Sequence, residues 1–373
     1  MKIGRFVVDS HVHAQRFAAG AALAEKEEAL QTGPRREWEA LSGSMGGLVP
    51  YDNTARLEYD MDCYRVDMCV LLPAFGMTDE LNREIVERSP ERYVAFCGAT
   101  DFQQRVRDGD ETWTIEGLCA ALDEELSTGA YVGIGEGMHA VPQPVDPRKP
   151  PAMETVMGNM LAIMEVAQGH GVAVGHHTGA PMGYDLPYST NFQGASNYNP
   201  LWTHDLASAF PDVPLILEHG GIQGWWSERI WEDCLHVAAA HDNVYLECGL
   251  WWTELFDKPL ADPNIGPEKL MWGTDWGASM GFYSQPGRYP PSYPVQVRRD
   301  GIVRHQVDYW GWSLREMLRL RIPQDDMNLI VGGNAARVFG LELPHRRLLR
   351  PVQGRSNEPT PQPSGHGADR GAA

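Results

Sequence analysis

Asp9-Ser10-His11-Val12-His13 sets two imidazoles two positions apart. In an extended strand such residues share a face, so His11 and His13 project together, with Asp9 one step back on the same side. Two adjacent imidazoles at a strand end make a bidentate donor for a divalent transition metal. A lone H-x-H also arises by chance, as two solvated surface histidines. Residues of the same chemical kind recur further on, however: Glu136, His176-His177, His219 and Asp275 each follow an apolar run.

Those runs are the elements that must position the donors. Strands are expected near residues 3–9, 66–72, 93–100, 131–136, 172–177, 213–219, 244–249 and 270–275. Helical patterns separate them, over 78–89 with Thr78 as N-cap, 114–126, 151–170, 199–210, 226–241, 304–320 and 334–339. Near-continuous apolar strands alternating with helices imply a parallel sheet with right-handed crossovers. Eight such units predict an α/β fold, a (β/α)8 TIM barrel with a long insertion after strand 1 and extended loops after strands 5 to 8. The barrel is assigned to residues 1–344, with the insertion at 14–62, and the Pro/Gly/Ser/Arg-rich stretch 345–373 to an extended or disordered tail. A doubly wound open sheet is the alternative. Its phosphate loop is missing: Gly133-Ile134-Gly135-Glu136-Gly137 lacks the G-x-G-x-x-G spacing.

On a barrel of this kind the strand C-termini form the reactive face. The convergence of His11, His13, Glu136, His176-His177, His219 and Asp275 on that face is far more specific than H-x-H alone, and it points to metal binding. His176 and His177 are adjacent, so only one of them faces the barrel axis.

Composition narrows the partners. With 31 Lys+Arg against 50 Asp+Glu the net charge is −19, and no basic cluster offers a nucleic-acid footprint. No apolar run approaches the ~18 residues of a membrane span, and the N-terminus enters a strand without a signal-peptide pattern; the expectation is a cytoplasmic protein. The six cysteines are scattered without C-x-x-C, which predicts free thiols rather than a disulfide framework. The loops after the later strands carry Tyr184, Tyr188, Tyr198, Trp225, Trp226, Trp251, Trp252, Trp276, Arg288 and Arg298. These either pack between loops or line a flat apolar pocket in which an arginine favours a carboxylate. The stretch 277–294, rich in Gly, Pro and Tyr, reads as a lid.

Five segments together resemble one family: Asp9 to His13 (D-S-H-V-H), His177 to Gly179 (H-T-G), Leu217 to Gly221 (L-E-H-G-G), Trp272 to Trp276 (W-G-T-D-W) and Gly332 to Gly340 (G-G-N-A-A-R-V-F-G). In this order they resemble the amidohydrolase superfamily, in the amidohydrolase-related branch that includes aminocarboxymuconate-semialdehyde decarboxylase. The resemblance implies that His11, His13 and His177 bind one divalent metal, that Asp275 binds it or lies against its water, and that His219 acts as acid/base or polarises the substrate. It selects His177 over His176, and gives Asn334 and Arg337 a structural role. Zinc suits the imidazoles and manganese suits the carboxylates. A second metal, bridged by Glu136, is not expected; that residue otherwise contacts substrate or pairs with a histidine or arginine.

The expected function is therefore a metal-dependent hydrolase that activates water against a small, aromatic or carboxylate-bearing molecule. Non-oxidative decarboxylation of an aromatic or unsaturated acid uses the same residues and is the alternative. A metal-free, lactonase-like or non-catalytic barrel is the third reading. A homodimer fits the family's habit.

Overall fold

The computed structural model describes residues 2–18, 49–74, 77–136, 140–142, 151–178, 200–222, 227–277 and 309–342. Ten strands lie in these segments: β1 (Val8–Val12), β2 (Gln15–Ala18), β3 (Val49–Asp52), β4 (Met68–Leu71), β5 (Tyr93–Cys97), β6 (Tyr131–Ile134), β7 (Ala173–His177), β8 (Leu215–Glu218), β9 (Val244–Glu247) and β10 (Leu270–Met271). The helices are α1 (Thr54–Tyr64), α2 (Asp79–Arg88), α3 (Thr100–Asp108), α4 (Ile115–Ser127), α5 (Met153–His170), α6 (Thr203–Ala209), α7 (Ser227–Ala240), α8 (Asp257–Ala261), α9 (Tyr309–Arg319), α10 (Gln324–Asn328) and α11 (Asn334–Val338).

Eight strands form one sheet in the order β1-β4-β5-β6-β7-β8-β9-β10, all neighbours parallel. The ends join: Ser10 N–H donates to Trp272 O at 3.0 Å, His13 N–H to Trp276 O at 2.7 Å, and Val12 bridges Trp276 in the parallel sense. The result is the expected (β/α)8 barrel. Strands such as β4 and β9 are buried along their whole length, which is why they read as unbroken apolar runs. Thr78 and Thr114 cap α2 and α4, their hydroxyls accepting the Leu81 and Gly117 N–H groups.

Three expectations shift. The first strand lies later than the apolar run Ile3–Val8 indicated: β1 begins at Val8 and carries Asp9 to Val12 inside it. Its polar residues are affordable there because the barrel satisfies them. The insertion after β1 contributes the antiparallel pair β2–β3 and ends in α1; its Ala/Glu-rich part Ala21 to Leu30, expected as helix, and its Gly-rich part Gly43 to Gly47, expected as loop, lie outside the described residues. The strand expected to reach Thr100 stops at Cys97. Ala99 turns the chain at φ +52°, and α3 starts at Thr100.

This turn rests on two carboxyl groups, Asp79 buried and Glu125 half-buried. Asp79 accepts the N–H groups of Gly98 and Thr100, and Glu125 accepts that of Ala99. Burial and the adjacent Asp79, with which it shares a hydrogen bond, push Glu125 up to about 9.

The C-terminal segment 329–338 closes the other end of the sheet. Trp272 N–H donates to Ile330 O at 2.9 Å, and Asn334 Nδ2 donates to the carbonyls of Pro267 and Leu270 at 2.7 and 2.8 Å. Arg337 binds Glu268 O and Asn334 Oδ1. Both residues thus fasten the helix to the strand that leads to Asp275. The tail from residue 345 and the stretch 278–294 lie outside the described residues.

Candidate metal centre

Five strand ends bring histidines and carboxylates together at one end of the barrel. From β1, His11 Nε2 and His13 Nε2 stand 3.2 Å apart. Glu136, two residues past β6, reaches both through Oε2, at 3.1 Å from His11 and 2.9 Å from His13. Asp275, beyond β10, sets Oδ1 3.1 Å from His13 Nε2 and 3.8 Å from His11 Nε2. The second Glu136 oxygen lies 2.9 Å from His177 Nδ1, at the end of β7. His219 follows β8, its ring centroid 4.9 Å from that of His11 and 4.6 Å from that of His177.

His219 and Asp275 both hold left-handed backbone, at φ +61° and +57°. For non-glycine residues this costs roughly 1–3 kcal/mol each, and it occurs at the two positions where the chain leaves its strand beside the cluster. Hydrogen bonds fix the arrangement from behind. Asp9 accepts the N–H groups of His11 and Thr274, the Thr274 hydroxyl and the Trp310 indole N–H; burial still pushes its pKa up to about 7. Thr178 donates to Glu218 O and accepts the Gly221 N–H, locking the ends of β7 and β8 together.

The electrostatics are those of an anionic cage. Burial alone would raise Glu136, but His13 and His11 hold it well below the ordinary carboxylate range. Burial opposes protonation of His11 and His13, yet Glu247 and Glu136 raise His11 well above its usual value, and Glu136 with Asp275 lifts His13 to about 9. His219 goes the other way: burial and the positive charge of its histidine neighbours press it well below the normal imidazole value. Burial raises Asp275. Protons are thus what balances the buried carboxylates here, and a cation can take their place.

The donor spacing fits one. Ligand bonds of about 2.1 Å place neighbouring donors about 3.0–3.4 Å apart in octahedral or tetrahedral geometry; the separations among His11, His13 and Asp275, and those of Glu136 from the two histidines, run from 2.9 to 3.8 Å. His11, His13 and Asp275 form one group able to hold an ion; His11, Glu136 and His219 form a second, and Glu136, His177 and Glu218 a third. His177 therefore joins the cluster through Glu136 and Glu218. His176 points elsewhere, its ring edge-on to Trp202 at 4.8 Å.

Trp252 and Trp276 are 5% and 4% exposed. Trp276 spends its indole N–H on Asp60 and packs near Trp310. Trp225, Trp226, Arg288, Arg298, Tyr184, Tyr188 and Tyr198 lie outside the described residues.

Two carboxylates at the site went unmarked in the sequence. Glu218 and Glu247 end β8 and β9 and are each 1% exposed. Glu247 meets His11 Nδ1 with both oxygens, at 3.2 and 3.0 Å. Glu218 has no hydrogen-bond partner for either oxygen among the described residues; burial and the nearby carboxylates raise it well above the normal range, though His11 opposes them. The available signal was the strand-end rule: an acidic residue at the last position of an otherwise apolar strand.

Among curated proteins nothing matches this chain. Solved structures similar in chain path include a dihydroxybenzoic acid decarboxylase from Polaromonas with bound manganese (16% identity, TM-score 0.49, 93% of this chain and 99% of that one). Others are a 5-carboxyvanillate decarboxylase from Sphingomonas paucimobilis (14%, 0.45, 91% and 100%) and a probable 2-pyrone-4,6-dicarboxylic acid hydrolase from Acinetobacter baumannii (11%, 0.46, 90% and 99%). At such identities the likeness says nothing about substrate. The family model described as amidohydrolase matches residues 8–341, which include every residue of the cluster; this chain belongs to the amidohydrolase family and is an enzyme of its metal-binding kind.

Proposed function

We propose that His11, His13, Glu136 and Asp275 hold one divalent metal and that the enzyme removes carbon dioxide from a small aromatic or unsaturated acid. Bound there, the cation supplies Lewis-acid chemistry, polarising a substrate oxygen and acidifying water. Two imidazoles with two carboxylates suit manganese as well as zinc.

The observation that carries the reading is the place of Asp275. Its Oδ1 lies among the histidine nitrogens, 3.1 Å from His13 Nε2, so it acts as a ligand. His219 is then left to move the proton: neither ring nitrogen makes a hydrogen bond among the described residues, and the ring faces His11 and His177. Decarboxylation asks for one such group, which delivers a single proton to the carbon that loses its carboxylate.

Hydrolysis of a C–N or C–O bond is the second reading, and one observation favours it. Both close approaches of Asp275 to the histidines are made by Oδ1, which leaves Oδ2 to accept a proton from attacking water. Protein reconstituted with manganese or zinc, offered a panel of aromatic and unsaturated acids, is expected to release carbon dioxide. Turnover of amides, esters or lactones without gas would establish hydrolysis in its place.

A further inference from the structure

We propose that Glu247 is the positioning residue of the centre, setting at once the tautomer of His11 and the backbone conformation of His219; the inference rests on the metal reading above. Glu247 ends β9 and belongs to none of the motifs at the other strand ends. Both its oxygens face His11 Nδ1, Oε2 at 3.0 Å and Oε1 at 3.2 Å. A carboxylate only accepts, so Nδ1 carries a proton; with a cation at the cluster in place of the second proton, Nε2 would present its lone pair to that cation. His13 reaches the same state differently, by donating from Nδ1 to Leu72 O at 2.9 Å. Of the two imidazoles from β1, one is thus oriented by backbone and the other by a carboxylate.

The same Oε2 accepts the backbone N–H of His219 at 2.7 Å. That bond closes over the residue held at φ +61°, and it supports the conformation that lays the His219 ring 4.9 Å from that of His11. One carboxylate therefore couples a metal-facing imidazole on the first strand to the proton-transfer imidazole after the sixth barrel strand. The barrel makes room for it: a Cβ on Gly273 would stand 2.2 Å from Glu247 Oε1. A carboxylate behind a ligating histidine fixes ring orientation and raises donor strength, and its loss typically weakens metal binding about 10–100-fold.

The test measures zinc and manganese affinity of wild type and Glu247→Gln by competition with a chromophoric chelator, with circular dichroism to confirm the fold. The expected result is a folded variant that binds about 10–100-fold more weakly. A folded variant that binds within twofold of wild type overturns the inference and leaves the metal reading intact. A wild type that binds neither ion overturns the metal reading and the inference with it. Should Glu247→Gln not fold, nitrogen-15 spectra of zinc-loaded wild type decide: a proton on His11 Nδ1 supports the assignment, and one on Nε2 overturns it.

Discussion

Asp275 Oδ1 stands 3.1 Å from His13 Nε2, and the pair spans the seam where the last strand of the barrel meets the first. The seam itself is held by His13 N–H on Trp276 O at 2.7 Å, so the contact that closes the barrel also holds these two donors side by side.

The first prediction concerns Asp275→Asn. If the residue is a ligand, metal content by plasma mass spectrometry falls together with turnover. If its work is to carry a proton from water, the metal stays near one equivalent per chain and turnover alone is lost. The first result is expected; the second would take Asp275 out of the ligand set.

His219→Asn is expected to behave differently. Asparagine is similar in size and keeps a polar tip, but it cannot move a proton as imidazole does. Metal content should match wild type, while kcat drops about 10²–10⁴-fold, the usual contribution of a general acid or base. Loss of metal along with rate would make His219 a ligand.

Trp310→Phe tests the support behind the cluster. It removes the indole N–H that Asp9 accepts, from a group buried completely. A loss of about 1–3 kcal/mol in urea unfolding is expected, together with weaker metal binding, because Asp9 also holds the His11 N–H. An unchanged denaturation midpoint would show that the Thr274 contacts suffice.

Stability should depend on pH through Glu125. Its carboxyl is pushed up to about 9 in the folded chain by burial and by Asp79, from 4.5 as the ordinary value. Between these values the folded state holds a proton that the unfolded state has released. The stabilisation is therefore complete below about pH 4.5 and is lost as pH rises toward about 9. Glu125→Gln keeps the shape and cannot ionise. Melting curves at pH 5, 7 and 9 should show the variant gaining on wild type as pH rises; parallel curves would refute the buried-proton account.

The barrel was legible because its strands are buried on both faces, and an unbroken apolar run is what such a strand requires. The same logic misplaced β1. Asp9, Ser10 and His11 look like the end of a strand, yet they lie within it, because Trp310, Trp272 O and Glu247 satisfy them inside the barrel. Helix α3 was missed because its apolar stripe is only Phe102 and Val106 among polar residues, and its start depends on the distant Asp79. At the site, histidines were visible because few of them end strands by accident. Glu218 and Glu247 were not, since an acid at a strand end ordinarily marks the return to water, and only the closed barrel reveals that both point inward.

The two slots that receive those acids have a consequence for how the sequence can change. A Cβ on Gly175 would stand 2.1 Å from Glu218 Oε1, as one on Gly273 would crowd Glu247. Each glutamate is thus written into the chain twice, once as itself and once as a hollow on the neighbouring strand. Alanine at 175 collides while Glu218 remains, and shortening Glu218 alone leaves a void; the double change removes both faults. Such positions show strong non-additivity. They are crossed more easily as pairs than one at a time, which slows the loss of these acids from the barrel by single steps.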